Sequence, residues 1–161
     1  MLKKLGIAVG AVGLCAAPAA MADTYTPAST STFSGPVTVQ KDGLAYNCTL
    51  TVNVDATAGS SASVTGSLSG AFPCSLIAVN GTGTAFYNGT NLTISGLVID
   101  PPISSGTCTG PIRTVWGGNS VSPRRITLSV PLSNSSATSG AACKMAGTLT
   151  QTAGAPVSIT P

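Results

Sequence analysis

Residues 45–54 read AYNCTLTVNV, with Tyr46, Cys48, Leu50, Val52 and Val54 on one parity and Asn47, Thr49, Thr51 and Asn53 on the other. Successive side chains of an extended chain point to opposite faces, so this alternation, rich in β-branched residues, dictates a half-buried strand. Cys48 falls on the apolar parity, which aims its sulfur into a core where a second cysteine can meet it. One stretch thus asks for an all-β domain with a covalent staple.

Residues 1–22 are a different kind of segment. A basic start (Lys3, Lys4), an apolar run (Leu5–Ala17) and a small-residue end (Ala20-Met21-Ala22) read as a secretory signal peptide cleaved before Asp23. The apolar run is short for a membrane anchor, which needs roughly 20 residues. A lipid anchor on Cys15 is disfavoured because Leu14 precedes it where a small residue belongs. The expectation is an exported protein, extracellular or retained in the periplasm. Cleavage removes Cys15 and leaves Cys48, Cys74, Cys108 and Cys143. An even set in an oxidising compartment points to two disulfides. Three connectivities are open; the one that joins chain neighbours, Cys48–Cys74 with Cys108–Cys143, is preferred. A metal site is the competing reading, but there is no CxxC pair and no histidine to support it.

The remainder suits one domain. Residues 23–35 (DTYTPASTSTFSG) form a Ser/Thr/Pro-rich arm, and residues 36–161 form the β-domain. Strands are expected at Pro36–Gln40, Ala45–Val54 and Ala62–Phe72, the last with Cys74 continuing the inward parity of Phe72. Leu76–Val79 and Thr84–Tyr87 read as a hairpin around Asn80-Gly81-Thr82-Gly83, because Asn-Gly accepts positive φ in tight turns. Further strands are expected at Leu92–Asp100, ended by Pro101-Pro102, and at Ile112–Trp116, Arg125–Leu132, Ala142–Gln151 and Val157–Thr160. About eight to ten short strands spaced by turn signals imply a single antiparallel β-sandwich or jelly-roll-like domain.

Charge excludes several functions. Lys3 and Lys4 supply two of the net +3, leaving Lys41, Arg113, Arg124, Arg125 and Lys144 against Asp23, Asp42, Asp55 and Asp100. So few cations cannot neutralise a row of phosphates, and nucleic acid is not an expected partner. The serines have no histidine to activate them and no Gly-x-Ser-x-Gly elbow in a suitable setting. The aspartates are scattered at strand ends and turns, which suits neither paired-carboxylate catalysis nor a calcium site. The expectation is therefore no catalytic residue, no cofactor and no metal.

Sequons at Asn47, Asn80, Asn88, Asn91 and Asn134 arise readily by chance in a chain so rich in Asn, Ser and Thr. Trp116 reads as a core plug against a disulfide or as an exposed contact for a partner. Phe86 and Tyr87, near a hairpin tip, carry the same two readings. Arg124-Arg125 reads as a solvated edge-strand pair that discourages sheet-to-sheet association.

The signal peptide followed by a Thr/Ser/Pro arm, NCTLTVNV, SVTGSLSGAFPCSLI, LTISGLVI, GTCTGPIRTVW and CKMAGTLT together resemble the family of small secreted bacterial proteins called activators of alkane oxidation (PraA/PraB-like). The resemblance spans nearly all of the chain after residue 22 and brings no catalytic motif. It implies an extracellular, non-enzymatic accessory that assists growth on long-chain alkanes by dispersing or contacting insoluble hydrocarbon. Its partner would be hydrocarbon or cell-surface material. A structural subunit of a surface filament or biofilm matrix is the alternative, in which the 23–35 arm adds a strand to a neighbouring copy in self-association.

Overall fold

The alternating stretches become strands because each buries one parity and wets the other. The computed structural model describes residues 23–102, 106–128, 136–137 and 143–161; the expected signal peptide, with Cys15, and the Asn134 sequon lie outside the described residues. In chain order the strands are β1 Thr24–Thr26, β2 Thr30–Lys41, β3 Leu44–Asp55, β4 Ala62–Ser69, β5 Ala78–Asn80, β6 Gly83–Tyr87 and β7 Asn91–Ser95. They continue as β8 Val98–Asp100, β9 Cys108–Thr109, β10 Ile112–Trp116, β11 Arg125–Leu128, β12 Ser136–Ala137, β13 Lys144–Ala153 and β14 Ser158–Thr160. Every pairing is antiparallel. The expected all-β antiparallel class is what forms, and the particular shape is a closed sheet. Strands β2-β3-β4-β6-β7-β10-β11-β13 follow one another around a barrel, and β13 pairs with β2 to shut it.

The strands left out of the barrel explain its two ends. At one end lie the β2–β3 turn and the connections that carry β5, β8, β9 and β12, which pair into a second sheet in the order β12-β9-β8-β5. Val79, Leu97 and Ile99 from that end meet Leu50, Val52, Ile94, Ile112, Leu128 and Met145 of the barrel interior. A two-layer core of the expected kind thus exists, with a small sheet laid across the mouth of a closed one. At the other end β1 pairs with β14, Tyr25 opposite Ile159. Residues 23–35, expected as an arm, lie within the domain: Thr24–Thr26 is paired in β1, and residues 30–35 are the first half of β2.

Two expected elements divide differently. Leu92–Asp100 is two strands, β7 in the barrel and β8 in the second sheet, broken where Gly96 takes φ +92° and turns the chain out of the barrel. The hairpin expected around Asn80–Gly83 does not form. Its first arm, β5, pairs with β8, and its second, β6, pairs with β4 and β7. Turn chemistry was legible there, but a turn between sheets carries the same Asn-Gly signature as a turn within one.

The barrel is filled, not hollow. Its inward positions are Phe33, Val37, Val39, Leu50, Val52, Val54, Val64, Leu68, Ile94, Ile126 and Leu149, all buried. The space between barrel and second sheet is about 20 Å³ and the one at the opposite end about 10 Å³. Outward positions carry uncharged pairs instead: Thr32 donates to Asn53 at 2.9 Å, Thr38 to Asn47 at 2.9 Å, and Ser34 meets Thr51 at 3.1 Å. An apolar inside and a Ser/Thr/Asn outside are the reverse of a barrel that faces lipid. Among the described residues, no helix is long and apolar enough to cross a membrane.

Tyr25 closes the β1–β14 end, 2% exposed, with its hydroxyl donating to the Ala85 carbonyl at 3.2 Å. Burial, and secondarily the Asp23 carboxylate, push its pKa up. The neutral phenol is the form the fold holds, so its contribution is fully present below the unfolded tyrosine pKa of about 10. It fades as pH rises above that value. Urea midpoints measured across pH 8–11 should fall in the alkaline range for the wild type and fall less for Tyr25→Phe.

Candidate functional site

Each residue singled out in the sequence has a definite place. Cys48 of β3 is joined to Cys74, Cα to Cα 5.4 Å, and Cys108 of β9 to Cys143, Cα to Cα 6.0 Å. All four sulfurs are buried. The first bond ties the β4–β5 connection to the barrel wall. The second ties the second sheet to the start of β13.

Trp116 is not a surface contact. It is 6% exposed, its ring meets Phe33 edge-to-face at 6.1 Å, and its indole N–H donates to Asn119 Oδ1 at 3.1 Å. The alternation of β10 settles this, since Ile112, Thr114 and Trp116 share the inward parity. Tyr87 is half-buried against the core, and its hydroxyl donates to the Gly89 carbonyl at 2.7 Å, so it closes a turn. Phe86, one residue earlier, points outward and is 57% exposed.

Arg124 is also unlike its sequence reading. Its guanidinium donates to the carbonyls of Val157 at 2.8 Å and Val121 at 2.7 Å, and reaches Ser158 Oγ at 3.4 Å. It is a tie for the C-terminal strand, whereas Arg125 is exposed. A guanidinium can spend several donors on carbonyls at once, a role that an Arg-Arg pair in a sequence does not announce.

Exposed apolar side chains are the feature that sequence parity missed. Phe72, placed inward by continuing the alternation of β4, is 74% exposed, and Leu76 is 54% exposed. The strand ends at Ser69, and Gly70 at φ +131° breaks the parity before Phe72. Pro73 and the short 3₁₀ turn Cys74–Leu76 then hold Phe72 and Leu76 on either side of the half-cystine. Leu44, 46% exposed, begins β3 at the same end of the barrel. Register places it there: Thr49 pairs with Ser69, so β3 runs on past the end of β4 toward the β2–β3 turn, alongside the segment that carries Cys74. The Sγ of Cys74 contacts the Asn47 carbonyl at 3.3 Å.

That end also holds the ion pair of Lys41 and Asp42, 3.2 Å apart, with the lysine side chain 1% exposed. No group of three or more His, Cys, Asp or Glu side chains comes together among the described residues.

The chain is matched by the family model Alkane oxidation protein activator PraA/PraB-like over residues 1–159. The chain belongs to that family. No curated protein and no solved structure matches it. The family is named for activating alkane oxidation, which ties this PraA/PraB-like protein to growth on alkanes.

Among the described residues, the apolar spaces inside the barrel of this PraA/PraB-like protein are small. A cavity of about 150 Å³ holds one benzene ring. The apolar spaces here, about 20 and 10 Å³, hold far less than a long-chain hydrocarbon.

Proposed function

We propose that this protein is a secreted, non-enzymatic accessory that promotes growth on long-chain alkanes by adsorbing at the oil–water or cell surface. The observation that carries the reading is the placement of Phe72 and Leu76, exposed on both sides of a disulfide-locked turn. Of the five large apolar side chains exposed among the described residues, Phe72, Leu76 and Leu44 share one end of the barrel, and such a group marks a contact surface. Burying a large apolar side chain completely is worth roughly 1.5–3 kcal/mol, so three partly exposed ones contribute on the order of 3–5 kcal/mol. That is enough for reversible adsorption and too little for permanent anchoring. The Ser/Thr/Asn exterior, nearly free of charge, adds little desolvation cost when the surrounding rim approaches oil.

Two disulfides and a filled core keep the domain folded at an interface that favours unfolding. The filament reading draws on strand donation by residues 23–35, and the pairing of β1 with β14 and of β2 with β3 leaves that segment already engaged within its own chain. The test is growth on hexadecane, and the stability of hexadecane emulsions, with and without added purified protein. Faster growth and slower coalescence are expected; no change in either contradicts the proposal.

A further inference from the structure

A second, chemically different surface lies on the side of the barrel. Phe86 of β6 pairs with Thr93 of β7, which pairs with Arg113 of β10, so the three form one outward cross-strand row. With neighbouring strands about 4.8 Å apart, the ring and the guanidinium are rooted about 10 Å apart with a hydroxyl between them. Against this row runs an open groove of about 360 Å³ lined by Asn88, Asn91, Thr93, Pro111 and Arg113. That volume falls within the range of small-ligand sites.

The groove holds an unmatched charge. Arg113 is exposed. The ion pair formed among the described residues, Lys41–Asp42, is at the far end of the barrel. The nearest placed carboxylate is that of Asp23, which is buried and accepts from the Tyr87 N–H behind the groove wall, while Asp55 accepts from the Thr57 N–H and Asp100 ends β8. Asn88 uses its Oδ1 to hold the Thr90 and Asn91 amides at 3.2 and 2.7 Å, which fixes the groove wall.

The geometry points to a binding site for a carboxylated sugar unit of an anionic polysaccharide. The uronate carboxylate pairs with the Arg113 guanidinium, whose planar fork fits a carboxylate with two parallel hydrogen bonds. Ring hydroxyls meet the side chains of Asn88, Asn91 and Thr93, and the exposed Phe86 ring offers a face to the flat side of the sugar. An aliphatic chain is the wrong occupant. It would strip water from two carboxamides and a hydroxyl without replacing their hydrogen bonds, at about 1–3 kcal/mol each. The proposal concerns a different face from the hydrocarbon contact and stands independently of it. It gives the molecule two faces, one for oil and one for an acidic extracellular polymer.

Titration calorimetry of the purified protein with tri-galacturonate at low salt tests it, with maltotriose as the neutral sugar and decanoate as the apolar carboxylate. Saturable binding of tri-galacturonate and none of maltotriose is expected. Arg113→Gln should weaken it roughly tenfold, the loss of one charge-assisted pair. Phe86→Ala should weaken it about threefold or more by loss of the ring face, while Arg125→Gln on the neighbouring strand should leave it unchanged. No saturable binding, equal affinity in Arg113→Gln, or tighter binding of decanoate than of the trisaccharide overturns it.

Discussion

Gly147→Ala is expected to destabilise the protein by about 3 kcal/mol or more, because an added Cβ meets backbone that cannot move aside. On the inward parity of β13, that carbon would collide with the Pro36 carbonyl and stand 2.8 Å from Val37 Cα. Gly35 on β2 has the reciprocal problem, with the Thr148 carbonyl and, at 3.1 Å, Leu149 Cα in the way. The two glycines lie diagonally across the β2–β13 seam that shuts the barrel, Gly147 itself opposite Val37. Closing a sheet requires its strands to coil tightly, and glycine is what permits that coiling at a corner. Gly66→Ala is the control, since its new methyl comes no nearer than 3.2 Å to a Val79 methyl and stands at ordinary contact distance, 3.7 Å, from the Thr51 carbonyl. Urea unfolding should show a large loss for Gly147→Ala and under about 1 kcal/mol for Gly66→Ala. Equal midpoints for the two would refute a seam defined by backbone contact.

Asn119→Ala should cost about 1–3 kcal/mol, a large effect for an exposed loop residue. One carboxamide serves three buried groups. Its Oδ1 accepts from the Trp116 indole at 3.1 Å and from the Ile159 N–H at 2.9 Å, and its Nδ2 donates to the Ile159 carbonyl at 3.0 Å. The side chain thus imitates a strand alongside β14, holding the C-terminal strand over the base of the barrel. Alanine removes the side-chain partner of all three groups at once, in a part-buried setting that water reaches only partly. Amide exchange should show faster exchange at Ile159 and at its β1 partner Tyr25, and urea unfolding should show the lowered midpoint. Unchanged exchange at Ile159 would refute the role.

Much of the barrel was legible before the structure because burial here follows parity. Ala45–Val54, Ala62 onward, Ile112–Trp116 and residues 144–151 became strands for the reason the alternation gave. Closure was not legible. A meander of antiparallel strands closes or folds into two layers depending on coiling at Gly35 and Gly147, and that depends on which strands meet. Nor was the second sheet, since its short strands lie in connections that look like ordinary turns. Of the candidate contacts, Phe86 was foreseen as one of two alternatives. Trp116 was resolved into the core by the parity of its own strand. Phe72 was missed because the alternation was carried past Gly70, where the backbone abandons it. Asn119, Gln151 and Arg124 were missed for another reason. Their work is hydrogen bonding to groups far along the chain, as in the 3.0 Å bond from Asn119 Nδ2 to the Ile159 carbonyl, and no local pattern records that.

The two faces imply a division of labour along the barrel. On the proposed function, the disulfide-locked turn with Phe72 and Leu76 meets oil at one end of the barrel, while the β6-β7-β10 row lies on its side. A turn held by Pro73, a 3₁₀ turn and Cys48–Cys74 loses little entropy when its side chains enter oil.

The most direct test is the adsorption isotherm of the protein on hexadecane droplets, compared with that of Phe72→Ser/Leu76→Ser. Both side chains are exposed, so the double variant should keep the wild-type urea midpoint. Removing about 2–3 kcal/mol of apolar transfer predicts a partition coefficient roughly 30- to 150-fold lower. Equal adsorption of the two proteins at equal stability would contradict the assignment of this end of the barrel as the hydrocarbon contact.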